Sequence, residues 1–257
     1  MLKAKTVNII FLAILLVMVA VNFATHFSGW WYAVLMIVYL NIQVYGASVL
    51  SAEFFLPVRF MGDRNSNKIA ITFDDGPIPV MTERILDVLN THKVPAAFFC
   101  IGNRVHDYPA LIKRMHEAGH LIGNHSYWHG AMFDLQSPDK IAKELADTDV
   151  AIQKAINKKP NFFRPPFGVT NPMVAAAVKR RGYKTIGWTV RSFDSMTKNG
   201  NALLDRVTRS LKGGDVILFH DYSTATLEML PAFLEQVAIL GLKIVRVDEL
   251  LKEKAYA

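Results

Sequence analysis

The stretch KIAITFDDGPIPVMTER, residues 68–84, places two adjacent aspartates, Asp74 and Asp75, between an apolar run and the dipeptide Gly76-Pro77. The run has the β-branched and aromatic side chains typical of a buried strand, and a Gly-Pro pair is typical of the turn that follows one. Two carboxylates side by side at the end of a buried strand repel each other and lose hydration, which costs free energy. Such a pair is expected where a functional site uses the two charges.

Seven apolar runs of strand length follow one another after residue 66, and helical patterns separate them. The predicted strands cover residues 68–73, 96–101, 120–125, 161–166, 184–190, 215–220 and 242–247. The clearest predicted helices cover residues 80–93, 110–119, 137–156 and 171–182. The last two begin with an N-cap residue and a proline, Ser137-Pro138 and Asn171-Pro172. This alternation predicts a parallel α/β fold, either a barrel or an open doubly wound sheet.

Polar side chains stand at the ends of five of these strands. Catalytic residues gather at the carboxyl ends of the strands in both kinds of parallel fold. The residues concerned are Asp74, Asp75, His125, His129, Arg164, Asp194, His220 and Asp221. Any one of them alone could be an ordinary structural residue. Their shared placement at strand ends predicts a functional site on one rim of the sheet.

The chemistry of these side chains indicates a metal-dependent hydrolase. Two imidazoles four residues apart, His125 and His129, suit one divalent metal ion, and a carboxylate from another strand end would complete a set with open positions. Of two adjacent carboxylates, one can ligate a metal while the other acts as a general base. Arg164 would orient that base, and His220 would protonate the leaving group with Asp194 as its partner. Taken alone, Arg164 and Asp194 would indicate only a structural ion pair.

The N-terminal segment, residues 1–56, is predicted to hold two transmembrane helices at about residues 7–25 and 31–50. Neither stretch contains a charge, and each is long enough to cross about 30 Å of hydrocarbon. A cleaved signal peptide and two buried helices of a soluble domain are the alternatives, but no clean cleavage site follows and neither stretch has a polar face. Lys and Arg flank the hairpin and are absent from its loop, so the positive-inside rule places the catalytic domain, residues 57–257, in the cytoplasm.

The composition limits the partners. The net charge of +7 favours anionic surroundings, such as phospholipid head groups or an anionic glycan. The basic residues are scattered and no nucleic-acid motif is present, so no nucleic-acid partner is expected. The single cysteine, Cys100, excludes an intramolecular disulfide and is predicted to be a small buried hydrophobe. The sequence carries no signal for an oligomeric state.

Five motifs, in this order, resemble those of the polysaccharide deacetylase family, the carbohydrate esterase group related to rhizobial nodulation chitooligosaccharide deacetylases. They are TFDDGP at 72–77, HSYWH at 125–129, RPPFG at 164–168, WTVRSFD at 188–194 and ILFHD at 217–221. The resemblance covers about residues 66–250. It implies a distorted barrel of seven strand–helix units, a (β/α)7 barrel-like domain that the predicted transmembrane hairpin precedes.

The resemblance also implies which aspartate does what. Asp74 would be the general base, oriented by Arg164. Asp75 would be the metal ligand, together with His125 and His129. The sequence therefore predicts that Asp75 lies nearest the two histidines and that Asp74 lies nearest Arg164.

The remaining roles concern the acid and the substrate. His220 would be the general acid and Asp194 its partner, while the backbone N–H of Phe167 would stabilise the oxyanion. Trp188 and Leu218 would form apolar walls of the acetyl pocket. The full implied substrate-binding set is Pro165, Phe167, Trp188 and Leu218. Many members have Tyr where this chain has Phe167, and Trp where it has Ser195, so the preferred glycan is not carried over.

The implied activity is hydrolysis of a linear amide, which removes acetyl from an N-acetylated amino sugar in a cell-envelope polysaccharide such as peptidoglycan or a chitin-like glycan. The hairpin and its flanking charges favour an alternative substrate, a lipid-linked amino sugar at the cytoplasmic membrane face. O-deacetylation of an ester would use the same residues. A non-catalytic sugar-binding protein is disfavoured because no ligand or base is missing. The expected partners are the glycan and the lipid bilayer, and the expected metal is zinc, with cobalt, nickel or iron accepted by the same ligands.

Overall fold

The computed structural model describes residues 2–257, so Met1, the first residue of the predicted membrane segment, lies outside the described residues. Two apolar helices, α1 (Ala4–Thr25) and α2 (Trp30–Ser48), form a hairpin. Both are long and apolar enough to cross a bilayer, and only 6% of the most apolar window of each is buried within the protein. This exposure argues against two buried core helices, whereas a membrane anchor and a signal sequence are both compatible with it.

A parallel sheet forms the centre of the rest of the chain. Its strands are β1 (Val58–Arg59), β2 (Lys68–Asp74), β3 (Ala97–Cys100), β4 (Leu121–Asn124), β5 (Phe162–Phe163), β6 (Lys184–Ile186), β7 (Val190–Arg191), β8 (Val216–His220) and β9 (Lys243–Ile244). The strand order is β1-β6-β5-β4-β3-β2-β8-β7, and β9 pairs with the start of β2. The predicted parallel α/β class is confirmed.

The prediction of a single strand over residues 184–190 is wrong, because the structure divides it into β6 and β7, which lie far apart in the strand order. In a flat sheet the spacings between these two strands would add up to about 29 Å. The chain from Ile186 to Val190 spans at most about 14 Å. The sheet therefore curls, with residues 187–189 crossing its open side. The predicted distorted barrel is confirmed in the form of a curled half-barrel.

Helices cover the outside of the half-barrel. They are α3 (Met81–Thr91), α4 (Gly102–Asp107), α5 (Pro109–Glu117), α6 (Pro138–Ile156), α7 (Pro172–Arg181), α8 (Gly200–Thr208), α9 (Thr224–Ile239) and α10 (Val247–Leu251). The Ser137 hydroxyl accepts a hydrogen bond from the Lys140 N–H, and the Asn171 side-chain oxygen accepts from the N–H groups of Met173 and Val174. Both predicted N-caps are therefore confirmed.

The core fixes the position of the strand ends. Six of the seven residues of β2 are buried. Phe73 on this strand packs against Phe98 and Phe219 on its two neighbours, with ring centroids 5.0 and 5.8 Å apart. Cys100 is fully buried, as predicted. Because β2 is packed between β3 and β8, the position of Asp74 at its end is fixed.

Candidate active site

The polar strand ends lie together at the carboxyl end of the sheet. Asp74 ends β2 and His220 ends β8. The predicted strands 120–125 and 161–166 are shorter in the structure, so that His125 and Arg164 directly follow β4 and β5. Asp194 comes shortly after β7. The loops after five strands thus bring these side chains to one rim.

Asp74 and Arg164 form a buried ion pair. Asp74 Oδ1 accepts a hydrogen bond from Arg164 Nη1 at 2.7 Å, and the two side chains are 6% and 0% exposed. The same Nη1 donates to the Thr72 hydroxyl, while Nε and Nη2 donate to the carbonyls of Ile186 and Gly187. Since all three guanidinium nitrogens have partners, Arg164 holds the Asp74 carboxylate in one orientation.

Asp75 faces the two histidines instead. Its Oδ1 lies 3.4 Å from His125 Nε2 and 3.3 Å from His129 Nε2, whereas Asp74 approaches His125 Nε2 only to 3.8 Å. Asp75 has a φ of 76°, in the left-handed region that few non-glycine residues adopt. This backbone turn lets neighbouring carboxylates point to different partners. The observed pairing is the one that the sequence predicts.

Asp75, His125 and His129 offer the donor atoms of a metal site. His125 Nδ1 lies 2.7 Å from the Arg164 carbonyl, so Nδ1–H donates there and the Nε2 lone pair is directed toward Asp75. The buried Oδ1 of Asp75 has no hydrogen-bond partner within residues 2–257. Its distances of 3.3 and 3.4 Å to the two Nε2 atoms match the spacing of about 3.4 Å between two ligands of one tetrahedral ion. The three residues therefore fit a divalent metal ion.

The charges within this cluster shift the pKa values of its acidic and imidazole groups. Burial alone would raise the pKa of the Asp75 carboxyl, but the nearby imidazole of His125 and the charges of His129 and His220 hold that pKa well below its usual range. Burial would lower the pKa of His125, and the charges of Asp74 and Asp75 raise it above its usual value. Protons and a metal ion compete for the same histidine lone pair, so metal affinity falls as the pH falls.

Asn124, the last residue of β4, holds the loop that carries both histidines. Its Nδ2 donates to the Leu145 carbonyl at 2.9 Å, and its Oδ1 accepts from the Ser126 N–H at 3.0 Å. The Ser126 hydroxyl in turn accepts from the His129 N–H at 3.1 Å. Sequence reasoning missed Asn124, although a buried amide at a strand end, directly before a histidine, requires such partners.

His220 and Asp194 form a second pair, in which Asp194 is buried and His220 is partly exposed. His220 Nδ1 donates to Asp194 Oδ1 at 2.7 Å, and Asp194 Oδ2 accepts from the His220 N–H at 2.8 Å and from the Thr226 hydroxyl at 2.6 Å. Burial lowers the pKa of His220, but the hydrogen bond and charge of Asp194 raise it by more, so the net shift is upward. This arrangement favours the protonated imidazole and leaves Nε2 directed away from Asp194.

The residues expected to contact the substrate lie on the same rim. Phe167 has a φ of 58°, and its half-exposed ring packs edge-on against His129 with centroids 4.7 Å apart. Trp188 covers Gly168 so closely that a Cβ there would meet the indole. Leu218 is buried within β8, and Pro165 follows Arg164 in the chain. The RPPFG loop, Trp188 and His129 therefore form one packed unit.

Two further charged residues support the turn that carries the aspartates. Arg104 Nη1 donates to the Asp75 carbonyl at 2.6 Å. Asp221 is fully buried against Gly76 and accepts a hydrogen bond from the Thr82 hydroxyl at 2.5 Å, and burial raises the pKa of its carboxyl to about 7. The strand-end position of Asp221 is visible in the sequence, whereas Arg104 on α4 has no signal that marks it.

Comparison with known proteins finds similar chains. A family model described as polysaccharide deacetylase matches residues 61–186. A peptidoglycan-N-acetylglucosamine deacetylase of Bacillus cereus is 35% identical over 195 residues, which cover 74% of this chain and 91% of that protein. The peptidoglycan-N-acetylmuramic acid deacetylase PdaA of Bacillus subtilis is 33% identical over 199 residues, which cover 76% of this chain and 75% of that protein. A crystal structure of a peptidoglycan N-acetylglucosamine deacetylase superposes with a TM-score of 0.73 at 26% identity, covering 78% of this chain and 95% of that one.

Proposed function

This chain belongs to the polysaccharide deacetylase family, and from that premise we propose that it removes N-acetyl groups from an amino sugar of a cell-envelope polysaccharide. The two relatives at 35% and 33% identity carry the names of peptidoglycan deacetylases, one for N-acetylglucosamine and one for N-acetylmuramic acid. Peptidoglycan is therefore the first substrate to test, and a chitin-like glycan is the second.

One observation carries the proposal: Asp74 and Asp75 are neighbours in the chain but face different partners. If both carboxylates served the same function, they would be expected to face the same partner. Here one carboxylate pairs with Arg164 and the other completes a two-histidine ligand set, which separates the base from the metal ligand. A sugar-binding protein without catalysis has no need of this division.

Asp75, His125 and His129 would hold a divalent metal ion, for which zinc is the first candidate and cobalt, nickel and iron are accepted by the same donors. When bound, the ion would supply a lowered pKa for the attacking water and polarisation of the acetyl carbonyl. The ligand set alone does not select among these metals, because imidazole and carboxylate donors suit all of them.

The chain's own residues would move the protons. Asp74, oriented by Arg164, takes a proton from the water whose oxygen attacks the acetyl carbon. The Phe167 N–H donates a hydrogen bond to the negative charge that develops on the carbonyl oxygen. His220, whose pKa Asp194 raises, gives its proton to the amide nitrogen as the C–N bond breaks, so that acetate and a free amine leave. Pro165, Trp188 and Leu218 would enclose the acetyl methyl group.

The apolar hairpin would anchor this activity to a membrane. Helices α1 and α2 are long enough to span the bilayer, and their side chains are largely exposed. The flanking Lys and Arg residues favour a cytoplasmic catalytic domain, whereas peptidoglycan as substrate favours the opposite side. Protease added to sealed, oriented membrane vesicles tests the side, since the C-terminal domain is cleaved only where it is exposed.

The test of the activity uses the full chain in detergent or in membranes and measures release of acetate and of free amine from peptidoglycan fragments and N-acetylated chitooligosaccharides. Release by the wild-type protein, and its loss in the Asp74→Asn variant, is expected. An exposed aspartate on α3, Asp87, provides the matched control Asp87→Asn. A folded, metal-loaded protein that releases no acetate from any N-acetylated amino sugar would overturn the proposal.

A further inference from the structure

The hairpin joins the catalytic domain beside the active-site rim. The carbonyl of Ala47, in the last turn of α2, accepts a hydrogen bond from the Thr170 N–H at 2.9 Å. Thr170 ends the loop that begins at Arg164. The next residue, Asn171, donates through Nδ2 to the carbonyl of Asp134, in the loop that follows the two histidines. The first rim loop is therefore bonded directly to the end of α2, and the second is bonded to the first through Asn171.

The first turns of α1 reach the same side of the domain. The Ala4 N–H donates to the Phe54 carbonyl at 3.0 Å. A cavity of about 560 Å³ lies between α1 and the domain, and Pro172 and Ala175 of the first turn of α7 contribute to its lining. Since α7 starts directly after the rim loop, this turn lies at the carboxyl end of the sheet. Both ends of the hairpin thus meet the domain at its catalytic end.

This attachment limits the distance between the site and a bilayer. If α2 spans the membrane, its last turn and the bonded Thr170 lie at the membrane surface. Phe167 precedes Thr170 by three residues, which is at most about 11 Å of chain. The headgroup layer on each side of the hydrocarbon is itself about 5–8 Å thick. The candidate oxyanion donor therefore lies within or just outside the headgroup layer.

The rim also carries large exposed apolar side chains. We define the apolar rim as six residues on the loops after β4, β5 and β7: Trp128, Met132, Leu135, Phe167, Phe193 and Met196. Apolar groups exposed together are typical of interaction surfaces, and aromatic side chains are enriched at the membrane–water interface. At one end of this set Phe167 packs against His129 in the site, and at the other Leu135 follows Asp134, whose carbonyl binds Asn171 beside the attachment of the hairpin.

We propose that the apolar rim rests on the bilayer surface and that the site takes an N-acetylated amino sugar carried by a membrane lipid through a phosphate ester. The inference rests on the proposed deacetylation and on the proposed membrane insertion of the hairpin. A lipid-linked sugar lies in the headgroup layer and meets the rim without leaving the membrane. A strand of polymer farther from the membrane would have to enter the gap between the rim and the bilayer.

Arg191 supplies a charge that suits this substrate. Its exposed guanidinium lies beside the rings of Trp188 and Phe193, 5.6 and 5.0 Å from their centroids. Within residues 2–257 it forms no ion pair with a carboxylate. Guanidinium groups bind phosphate through two parallel hydrogen bonds, so Arg191 is placed to hold the phosphate of a lipid carrier at the edge of the acetyl pocket.

The contact with the bilayer is tested by spin labels in the full chain, reconstituted in phospholipid nanodiscs. Leu135→Cys places a label on the rim, and Ile239→Cys places one at the opposite end of the domain, where α9 ends; the two positions are 65% and 77% exposed. Cys100 does not react, because it is buried and burial raises the pKa of its thiol. The Leu135 label is expected to collide with oxygen more than with a water-soluble nickel complex, and the Ile239 label the reverse. Equal nickel access at both positions would overturn the proposal.

The substrate class is tested with two matched N-acetylglucosamine compounds, one linked through phosphate to a long-chain polyprenol in vesicles and one a water-soluble chitooligosaccharide. The lipid-linked compound is expected to react with a kcat/KM about tenfold or more higher, because both reactants are concentrated at one surface. The double variant Met132→Glu, Leu135→Glu should lose this advantage and keep the rate on the soluble compound, while Ile239→Glu changes neither rate. Arg191→Gln should lower the rate on the lipid-linked compound by a larger factor than the rate on the soluble compound. Equal rates on both compounds would overturn this inference and leave the proposed deacetylation standing, whereas no reaction with any N-acetylated amino sugar would overturn both.

Discussion

The Cα atoms of Asp74 and His220 are direct partners in the parallel pairing of β2 with β8. Residues in register on neighbouring strands point to the same face of a sheet, with the strands about 4.8 Å apart. Each of the two side chains has its own counter-ion, Arg164 for Asp74 and Asp194 for His220. The proposed base and the proposed acid can therefore act on one bound amide while their charges are held by separate partners.

Replacing Asp74 with asparagine is expected to lower kcat by about 10³-fold, since a positioned general base contributes roughly 10²–10⁴-fold. The metal content, measured by mass spectrometry of the purified protein, should stay at the wild-type level because Asp74 is not in the ligand set. The Asp87→Asn control should keep the wild-type rate. Turnover by Asp74→Asn at the wild-type rate would show that another group removes the proton.

Replacing His125 with alanine is expected to remove the metal and, with it, activity. Residues that only orient a metal ligand usually contribute about 10- to 100-fold to metal affinity. His125 is itself a predicted ligand, so its loss should lower metal affinity by about 10²-fold or more. The exposed His106 on α4 provides the control His106→Ala. A chelator should inactivate the wild-type enzyme, and added zinc should restore it. A His125→Ala variant with a full metal complement would contradict the assignment of the ligand.

The change Arg164→Met is expected to lower the free energy of unfolding by about 3–5 kcal/mol, because it leaves the Asp74 carboxylate buried without its partner. Urea denaturation followed by circular dichroism measures this loss. Adding Asp74→Asn to Arg164→Met should recover part of the stability, since the unpaired charge is gone. If the single and double variants unfold at the same urea concentration, the ion pair does not account for the loss.

The change Asp194→Asn is expected to move the basic limb of the kcat/KM profile to lower pH. Burial lowers the pKa of His220, and the hydrogen bond and charge of Asp194 raise it by more. A proton donor works below its pKa, so activity is lost as the pH rises through that value, and a lower pKa brings the loss to lower pH. Asp139→Asn, at an exposed position on α6, serves as the control. An unchanged basic limb would assign the donor to another group.

The strands that follow residue 66 could be predicted because they are apolar runs separated by helices with clear caps. β1 could not, since a strand of two residues has no periodicity to detect. The break between β6 and β7 was equally hidden. The residues at the break are held by long-range contacts, such as the hydrogen bonds from Arg164 to the carbonyls of Ile186 and Gly187, and local sequence does not show such contacts.

The site residues that could be predicted from the sequence are those that stand at the ends of strands. Asp74, His125 and His220 stand where parallel sheets place functional groups, so position in the sequence indicates proximity in space. No such relation between strand ends and function identifies Arg104 or Thr170. Their contacts, with the Asp75 carbonyl and with Ala47, join parts of the chain that only the complete fold brings together.

The side chain of Arg164 binds Asp74 and the carbonyls of Ile186 and Gly187, where the chain leaves β6 to cross the open side of the curled sheet. A chain whose half-barrel has not closed lacks the contacts that orient this arginine, and its Asp74 has no fixed direction. The proposed base would therefore be oriented only in a chain whose half-barrel is closed. An unfolded or damaged chain would then carry the residues of a hydrolase without the activity of one.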